Sequence, residues 1–283
     1  MQTFRDKVAV ITGGASGIGR AVADRGLEEG MRLVVADVEQ SALDTTEREL
    51  KQAGADVLAV RTDVSSAEQV EALAQRTLER FGAVHLLFNN AGVAVGGPIW
   101  EHTLRDWQWI LGVNLWGVIH GVRTFVPLML AQGGEAHIVN TASMAGLLST
   151  PGLGAYNVTK HGVVTLSETL ALDLAAQGAN IKVSVLCPGW VKTRISDSAR
   201  NRPPALQNTA AVQPDDRGDS VARDLVAQGI APEQVADLVF EAVRSEKFYI
   251  LTHPTWKPLV QKRVENIVNE RGPASGFGKL ETI

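Results

Sequence analysis

The sequence has little cysteine, no long block of like charge and no long apolar run, and each absence excludes a class of protein. Cys187 is its one cysteine, so the chain cannot form an internal disulfide framework, and such usage is typical of a reducing compartment. Lysine and arginine number 27 against 31 aspartates and glutamates, a net charge of −4. This balance gives no basic footprint for nucleic acid and no basic amphipathic segment for a membrane surface. No uninterrupted apolar run approaches about 18 residues, so we expect no transmembrane helix.

Histidine and the N-terminal segment exclude two further features. The 6 histidines are scattered without the spacing of metal ligands, and we expect no metal site. Arg5, Asp6 and Lys7 precede a short apolar stretch, which is not the pattern of a signal peptide. Together with the cysteine usage, this predicts a cytoplasmic protein.

The sequence predicts one main domain with a C-terminal extension. A content of 45% hydrophobic residues in 283 is enough for a large core. Strand and helix patterns alternate to about residue 251 without a linker, so we place the main domain at residues 1–253 and the extension at 254–283. Within the domain, residues 194–229 carry several prolines and mixed charges, which indicates a mobile insertion, either a lid or a disordered loop. In the extension, Val260, Val264 and Ile267 form a helical apolar stripe that should pack on something.

A glycine cluster lies between the first strand pattern and the first helix pattern. The strand, Lys7 to Thr12, is apolar almost throughout, as in parallel strands that are covered on both faces. The cluster Gly13-Gly14-Ala15-Ser16-Gly17-Ile18-Gly19 follows it, and a helix pattern runs from Arg20 to Glu29. Glycine permits a tight turn and close approach of a phosphate, and the helix N-terminus offers free N–H groups. A plain turn would also explain the glycines, but their position favours a diphosphate site.

Asp37 ends the second strand pattern, Arg32 to Asp37. A carboxylate at that position can accept hydrogen bonds from both hydroxyls of an adenosine ribose, and it repels a 2′-phosphate. It could instead cap the helix pattern that begins near Ser41. We favour the ribose role because strand, loop and spacing agree, and this predicts NAD. Arg20 is the one nearby cation that could compensate a phosphate, so NADP remains possible.

Small and polar residues follow the third and fourth strand patterns. Val57 to Arg61 forms the third strand and is followed by Asp63 and Val64. Asp63 could cap the next helix or meet the edge of an adenine, and the residues leave both readings open. The fourth strand ends in Asn89-Asn90-Ala91-Gly92, whose small last residues would admit a flat ligand at the carboxyl end of a parallel strand.

Tyr156 and Lys160 lie near the start of a helix pattern that runs to about Gln177. Residues four apart share a helix face, so the phenol and the ammonium should project together. A free tyrosine has a pKa of about 10, and a nearby cation is expected to lower that pKa toward neutral. The pair would then suit proton transfer. A solvated helix face would explain the same two residues, so other parts of the chain have to decide.

A long helix is predicted from about Thr103 to Ala131, with a bend near Pro127. Asn114 stands in it among apolar neighbours and must find hydrogen-bond partners if it is buried. Cys187, in an apolar strand pattern, is expected to be a buried hydrophobic residue rather than a nucleophile. Four tryptophans are expected to serve packing or an interface: Trp100, Trp107, Trp109 and Trp116.

Several motifs occur together and in order, and as a set they resemble the short-chain dehydrogenase/reductase family. They are Thr12-Gly13-x-x-x-Gly17-x-Gly19, Asn89-Asn90-Ala91-Gly92, Asn114, Ser143, Tyr156-x-x-x-Lys160 and Pro188-Gly189. The resemblance covers about residues 4–251 and implies an α/β fold, a three-layer doubly wound Rossmann domain around a seven-stranded parallel sheet. It makes residues 1–253 the catalytic domain, with 194–229 as a substrate lid. It also implies an oxidoreductase that uses NAD(H) or NADP(H).

The resemblance further implies roles for single residues. Tyr156 would exchange the proton with the substrate oxygen, and Ser143 would hydrogen-bond that oxygen. Lys160 would lower the tyrosine pKa and hold the nicotinamide ribose, while Asn114 would position a water that relays protons to Lys160. The cofactor would be held at its diphosphate by Gly13, Ser16, Gly17, Ile18 and Gly19, at its adenine by Asp63 and Val64, at the nearby ribose by Asn90, Ala91 and Gly92, and at its nicotinamide by Pro188, Gly189, Val191 and Thr193.

The expected substrate is a hydrophobic secondary alcohol or the matching ketone. Apolar residues fall on segments expected beside Ser143 and Tyr156, and burying apolar substrate surface is favourable. They are Val95, Met144, Leu147, Leu148, Leu153, Trp190 and Ile195. An NADPH-dependent carbonyl reductase is the alternative; a more distant one is a non-catalytic dinucleotide-sensing protein, which would need no Tyr156–Lys160 pair. The resemblance also implies a homotetramer with the helices around Thr103–Ala131 and Ala155–Gln177 at its main interface.

Overall fold

The computed structural model describes residues 1–208 and 223–273 of the chain. Within them lies one parallel sheet of seven strands in the order β3-β2-β1-β4-β5-β6-β7. The strands are Val8–Thr12 (β1), Arg32–Asp37 (β2), Val57–Arg61 (β3), Leu86–Asn89 (β4), Ala136–Thr141 (β5), Ile181–Cys187 (β6) and Tyr249–Leu251 (β7). The strand order changes direction between β1 and β4, and doubly wound sheets bind ligands at the carboxyl ends of their strands at such a point. The predicted seven-stranded Rossmann fold is confirmed.

Helices connect the strands and cover the sheet. They are Gly17–Glu28 (α1), Gln40–Gln52 (α2), Ala67–Phe81 (α3), Leu104–Leu111 (α4), Gly117–Gln132 (α5), Gly154–Ala176 (α6), Pro232–Arg244 (α7) and Lys257–Val268 (α8). Short 3₁₀ turns occupy Met144–Gly146, Ile195–Asn201, Pro204–Leu206 and Pro254–Trp256. Because the strands are parallel, they all end at the same edge of the sheet, and this brings the loops after β1, β2, β4, β5 and β6 together.

The two faces of the sheet carry separate apolar cores. Successive residues of a strand point to opposite faces, so Ala9 and Ile11 pack in one cluster with residues of α1, α2 and α7. Val8 and Val10 pack in the other cluster with residues of α3 and α5, including Phe125. Because both faces are covered, β1 has no polar side and its five residues are all buried.

The long helix predicted from Thr103 is interrupted at Asn114 rather than at Pro127. Gly112–Trp116 forms a single π-helical turn between α4 and α5, and α5 continues through Pro127. Single π turns inside α-helices frequently occur at functional sites. This one carries the buried Asn114, so the irregularity belongs to the site and is not caused by proline.

Leu104–Gln132 is the one helical stretch among the described residues that is long and apolar enough to cross a membrane by length and composition, with a mean hydropathy of 1.2. Polar residues such as Asp106, Asn114 and Arg123 interrupt its apolar sequence, so the expectation of no transmembrane helix did not take this stretch into account. Core helices of globular proteins pass the same test. Trp109, Ile110 and Phe125 in this stretch are buried within the domain, so its hydropathy is weak evidence for a membrane span.

The C-terminal extension packs on the domain in part. Trp256 is 7% exposed and belongs to an apolar cluster beside β6, against which Val260 also packs. Val264 and Ile267 are exposed on α8. The predicted stripe is therefore covered at its first position only, and residues 274–283 lie outside the described part of the chain.

Candidate active site

A cavity of about 700 Å³ lies at the carboxyl edge of the sheet. Its walls come from the loops that follow β1, β2, β3, β4, β5 and β6, together with residues from the segment 193–208 and from the C-terminal extension. Most of the predicted site residues meet in this cavity, although they are scattered over the sequence.

The glycine loop forms the first wall, and its backbone requires glycine. Gly13 has φ of 63° and Gly17 has φ of 54°, a left-handed conformation that other residues rarely adopt. A Cβ on Gly13 would lie 2.8 Å from Ala91 Cα, and one on Gly19 would lie 2.2 Å from the Gly13 oxygen. Gly13, Ser16, Gly17 and Ile18 line the cavity where α1 begins. The loop therefore presents backbone and a helix N-terminus to a phosphate.

Thr12 and Asn90 hold this loop against the loop after β4. The Thr12 hydroxyl accepts hydrogen bonds from the N–H groups of Asn90 (2.9 Å) and Ala91 (3.2 Å). The Asn90 amide donates to the Thr12 carbonyl oxygen at 3.1 Å. Thr12 belongs to the glycine motif, but no role for it was predicted from the sequence. Its position between a buried strand and the glycine cluster is the signal that could have indicated one.

Asp37 lines the cavity and is held by two backbone N–H groups. Its carboxylate accepts from Ala15 N and from Glu39 N, each at 3.1 Å. Burial raises the pKa of Asp37, and the two backbone hydrogen bonds oppose that rise. Helix α2 begins at Gln40 with Glu39 at its N-cap, so the alternative of Asp37 as the helix cap is wrong. The carboxylate is placed beside the glycine loop, as a ribose role requires.

Asp63 and Val64 both line the cavity. The Asp63 carboxylate accepts hydrogen bonds from the backbone N–H and the hydroxyl of Ser65, at 2.9 and 2.7 Å. The N-cap of α3 is Ser66, whose hydroxyl accepts from Gln69 N. Asp63 thus shapes the turn before the helix without being its cap, and the same turn faces the cavity.

Ser143, Tyr156 and Lys160 converge on the other half of the cavity. The Ser143 hydroxyl donates to the Pro188 carbonyl oxygen at 3.3 Å and lies near enough to the Tyr156 hydroxyl to influence its pKa. The Lys160 ammonium donates to the Thr141 carbonyl oxygen at 2.9 Å and lies 5.5 Å from the centre of the Tyr156 ring. A hydroxyl, a phenol and an ammonium therefore share one small volume.

The pKa values of Tyr156 and Lys160 differ from the expectation that the cation would lower the pKa of the tyrosine toward neutral pH. Tyr156 is half-buried, and the loss of solvation around its phenol raises its pKa to about 12, while the neighbouring Ser143 side chain acts to lower that pKa. Burial lowers the pKa of Lys160 to about 8. The loss of solvation outweighs the attraction, because burial disfavours the charged form of both groups.

Asn114 connects the π turn to two other elements. Its carbonyl oxygen accepts from Val93 N at 2.8 Å, and its amide donates to Val93 O at 2.9 Å and to the Thr159 hydroxyl at 3.3 Å. A Cβ on Gly92 would lie 3.6 Å from Asn114 Oδ1 and 3.7 Å from Lys160 Nζ. Asn114 and Lys160 thus approach the same glycine, and the predicted water relay between them stays a prediction.

The end of β6 and the C-terminal extension form the far wall. Pro188, Gly189, Val191 and Thr193 all line the cavity. Gly189 donates its N–H to the Thr252 hydroxyl at 3.1 Å, and a Cβ on Gly189 would lie 2.6 Å from Nδ1 of His253. The His253 ring stacks on Trp256 with ring centres 4.8 Å apart. Residues 252–256 therefore buttress the loop predicted to support the nicotinamide, a role that sequence reasoning missed.

The predicted substrate residues divide into two groups. Val95, Met144, Leu153, Trp190 and Ile195 line the cavity. Leu147 and Leu148 do not line it, so their predicted place in the wall is wrong; Leu148 is buried in the apolar cluster beside β6, and Leu147 packs against that cluster. Both follow the 3₁₀ turn Met144–Gly146, which turns them away from the site. Further wall residues that sequence reasoning did not assign are His102, Trp109, Leu206 and Trp256.

Part of the segment predicted as a lid is described, and that part is packed on the domain. The Ser198 hydroxyl accepts from Ala94 N at 2.9 Å. Arg202 pairs with Asp106 at 2.6 Å, and its guanidinium lies 5.1 Å from the Trp109 ring centre. Residues 209–222 of the predicted lid lie outside the described residues.

Two further predictions concern Cys187 and metal binding. Cys187 is buried in β6, and burial raises its pKa to about 12, so the thiol keeps its proton and is a poor nucleophile. Among residues 1–208 and 223–273, no group of three or more histidine, cysteine, aspartate or glutamate side chains could hold a metal ion.

The cavity fits a dinucleotide on features of this chain alone. The glycine cradle that a Cβ would fill, the helix N-terminus behind it and the Asp37 carboxylate suit a diphosphate and its adenosine ribose. The Ser143–Tyr156–Lys160 group at the opposite end suits proton transfer beside a nicotinamide. Fold and site together define an oxidoreductase of the dinucleotide-binding class.

Comparisons with known proteins agree with that class. A family model described as short chain dehydrogenase matches residues 7–204. The crystal structure of a short-chain dehydrogenase/reductase from Burkholderia phymatum in complex with NAD is similar with a TM-score of 0.96 and 51% identity, over 98% of this chain and 100% of that one. The CLA biosynthesis dehydrogenase/reductase of Lactiplantibacillus plantarum is 37% identical over 96% of this chain and 97% of the relative. The C alpha-dehydrogenase of a Sphingobium strain is 34% identical over 96% of this chain and 89% of the relative. The chain belongs to the short-chain dehydrogenase/reductase family.

Proposed function

We propose that the protein is an NAD(H)-dependent oxidoreductase that interconverts a hydrophobic secondary alcohol and the corresponding ketone. The observation that carries the proposal is the meeting of Ser143, Tyr156 and Lys160 at one end of a cavity whose other end carries the glycine loop and Asp37. An acid–base group and a dinucleotide cradle in one cavity are what alcohol–ketone exchange requires.

The chemistry is divided between the chain and its cofactor. When bound, the dinucleotide would supply the hydride donor or acceptor at its nicotinamide. The Tyr156 hydroxyl donates a proton to the carbonyl oxygen in reduction, and its phenolate takes the proton from the alcohol in oxidation. The Ser143 hydroxyl donates a hydrogen bond to the same oxygen and orients it. Because burial holds the pKa of Tyr156 near 12, the phenol carries its proton at neutral pH, which is the state that reduction needs; the Lys160 cation favours the phenolate that oxidation needs.

The wall of the cavity supports a hydrophobic substrate. Val95, Met144, Leu153, Trp190 and Ile195 contribute apolar surface, and burial of apolar substrate surface is worth about 25 cal/mol per Å². Relatives described as dehydrogenases or dehydrogenase/reductases support the reaction type and leave the substrate to be identified.

Asp37 and Arg20 support NAD over NADP. Asp37 would meet the 2′-phosphate of NADP as a like charge. Arg20, the cation next to the glycine loop, is held by Asp24 at 3.0 Å and by Glu49 at 2.7 Å. Arg200, which lines the cavity, is held by Glu39 at 3.0 Å. A similar structure contains NAD. An NADPH-dependent carbonyl reductase remains the alternative, whereas a non-catalytic sensor would have no use for the Ser143–Tyr156–Lys160 arrangement.

Steady-state kinetics with both cofactors tests the proposal. Purified protein would be assayed with NAD⁺ and NADP⁺ against cyclic, aryl and aliphatic secondary alcohols and against polyols, following the reduced-cofactor absorbance. We expect turnover with NAD⁺ and higher kcat/KM for cyclic and aryl alcohols than for polyols. A higher kcat/KM for polyols would contradict the substrate class, and preference for NADP⁺ would establish the alternative.

A further inference from the structure

One carboxylate after β2 holds three side chains of the segment that follows β6. Glu39 pairs with the Arg200 guanidinium at 3.0 Å, accepts from the Asn201 amide at 3.5 Å and lies 3.9 Å from the Arg194 guanidinium. Arg200 also donates to the carbonyl oxygens of Arg194 (3.2 Å) and Asp197 (3.0 Å). These backbone bonds fix the guanidinium in the orientation that meets Glu39.

The sheet order shows what this contact crosses. Strands β2 and β6 are separated by β1, β4 and β5, so a bond from the end of β2 to the segment after β6 spans the carboxyl edge of three strands. That edge is the cavity that carries the glycine loop, and Asp37, Arg194, Arg200 and Asn201 all line it. At the start of the same segment, a Cβ on Gly17 would lie 3.0 Å from Thr193 Cγ2. The segment 193–201 therefore runs over the glycine loop, and its contact with Glu39 holds it on the far side of that loop.

Partial burial and the presence of several donors should make the contact between Glu39 and Arg200 stronger than an ordinary surface ion pair. The side chains of Glu39 and Arg200 are 26% and 25% exposed, and a network in which one acid meets several donors is stronger than an isolated exposed pair. A dinucleotide diphosphate carries negative charge, and it would lie on the side of the cavity that Arg194 and Arg200 line. Opening the segment would separate Glu39 from both arginines.

We propose that Glu39 and Arg200 form a clasp that closes over the adenosine and diphosphate half of the bound dinucleotide and determines how fast the cofactor leaves. The clasp rests on the proposed function only in requiring a dinucleotide in the cavity, and it makes no assumption about the substrate. Glu39 and Arg200 are positioning residues in this proposal, because they act through the segment 193–201 rather than on the reacting atoms.

Cofactor release provides the test. Glu39→Gln keeps the size of the side chain and removes its charge, and Glu39 makes no side-chain cap bond to α2, so the helix should not be weakened. Displacement of NADH in a stopped-flow fluorescence experiment should show dissociation at least about fivefold faster than in the wild type. Arg200→Gln should match it, and the double variant should add little because both substitutions break one contact. Glu47→Gln is the matched control, since Glu47 pairs with Lys51 on the same helix at 2.7 Å outside the cavity.

Two further readings separate the clasp from the proposed function. High salt should speed NADH release in the wild type and change it little in Glu39→Gln, because ions screen the pair. Hydrogen exchange without cofactor should be faster across residues 195–208 in Glu39→Gln and unchanged in Glu47→Gln. Wild-type dissociation rates in the Glu39 and Arg200 variants would overturn the clasp while leaving the oxidoreductase in place. Failure of the wild type to bind NADH would overturn the proposed cofactor. The clasp would then be rejected if Glu39→Gln and Glu47→Gln showed the same rate of hydrogen exchange across residues 195–208.

Discussion

At the scale of the residue, Tyr156 is the side chain on which the proposed chemistry depends. Tyr156→Phe keeps the ring against its neighbours and removes the proton donor, so we expect kcat to fall by at least about 10²-fold, the usual contribution of general acid–base catalysis. The Kd for NADH, measured by fluorescence, should stay close to the wild-type value because the glycine loop and Asp37 are unchanged. Near-normal turnover in the Phe variant would remove Tyr156 from the mechanism.

Asp37 is the residue that should discriminate between the two dinucleotides. Charge-assisted hydrogen bonds contribute about 1.5–3 kcal/mol, so we expect the wild type to prefer NAD⁺ at least about tenfold in kcat/KM. Asp37→Ala should shrink the preference, mainly by weakening the use of NAD⁺. Asp44→Ala, on the exposed surface of α2, should leave the ratio as it is. An unchanged ratio in Asp37→Ala would show that another residue discriminates.

Lys160 should make the free energy of unfolding depend on pH, and the sign of this dependence follows from its lowered pKa. The unfolded chain holds the lysine proton up to its ordinary value of 10.5, whereas the folded protein releases it near 8. Between these values the unfolded state binds more protons, so this lysine makes stability rise with pH. The free energy of unfolding of the wild type relative to Lys160→Met should increase above pH 8, by up to about 1.4 kcal/mol per pH unit. Urea titrations of cofactor-free protein at pH 7, 8, 9 and 9.5 would measure it.

The matched control for this titration is Lys182→Met. Lys182 lies on β6 with its side chain 44% exposed and paired with Glu246, so its replacement removes a lysine that does not line the cavity. A difference between wild type and Lys160→Met that is independent of pH would mean that the buried ammonium keeps its proton throughout.

At the scale of the element, the sequence best predicted the bounds of segments whose residues share one environment, such as the buried strands. Strands β2 and β3 begin and end at the residues predicted from their largely apolar runs, because a strand covered on both faces needs apolar side chains at most positions. The irregular parts followed other causes. The π turn carries Asn114, whose side-chain amide hydrogen-bonds Val93 and Thr159, and neither partner is near it in sequence. The contact between Glu39 and Arg200 likewise joins residues that only the strand order brings together.

The tail from Pro254 is the element whose contribution the sequence left open. Trp256 lines the cavity and packs beside Trp190 in the cluster at β6. Trp256→Leu should enlarge that end of the cavity and shift the ratio of kcat/KM for bulky over small secondary alcohols by at least about tenfold, since small changes in pocket volume discriminate to that degree. Trp100→Leu is the control, because Trp100 is 81% exposed and does not line the cavity. An unchanged ratio would limit Trp256 to packing.

At the scale of the whole molecule, exposed apolar residues on two adjacent helices need a cover. Trp116 in the π turn is 51% exposed and Leu172 on α6 is 71% exposed. Both lie in the helices around Thr103–Ala131 and Ala155–Gln177, where the predicted tetramer places its main interface. A second copy of the chain on these helices would also account for the hydropathy of Leu104–Gln132, since an interface helix is apolar on its outer face as well as its inner one.

We therefore propose a homotetramer, and a charge placed on this face provides its test. A buried acid without a partner disfavours association strongly, so Leu172→Glu should convert the tetramer to smaller species in light scattering at micromolar concentration. Val268→Glu places the same charge on α8, outside the two helices, at a residue that is 75% exposed, and should leave the mass unchanged. The fold of the subunit should survive in both variants, because each residue lies on the surface, and circular dichroism would verify this. A stable wild-type monomer would reject the assembly, and a tetramer that persisted in Leu172→Glu would place the interface on another face.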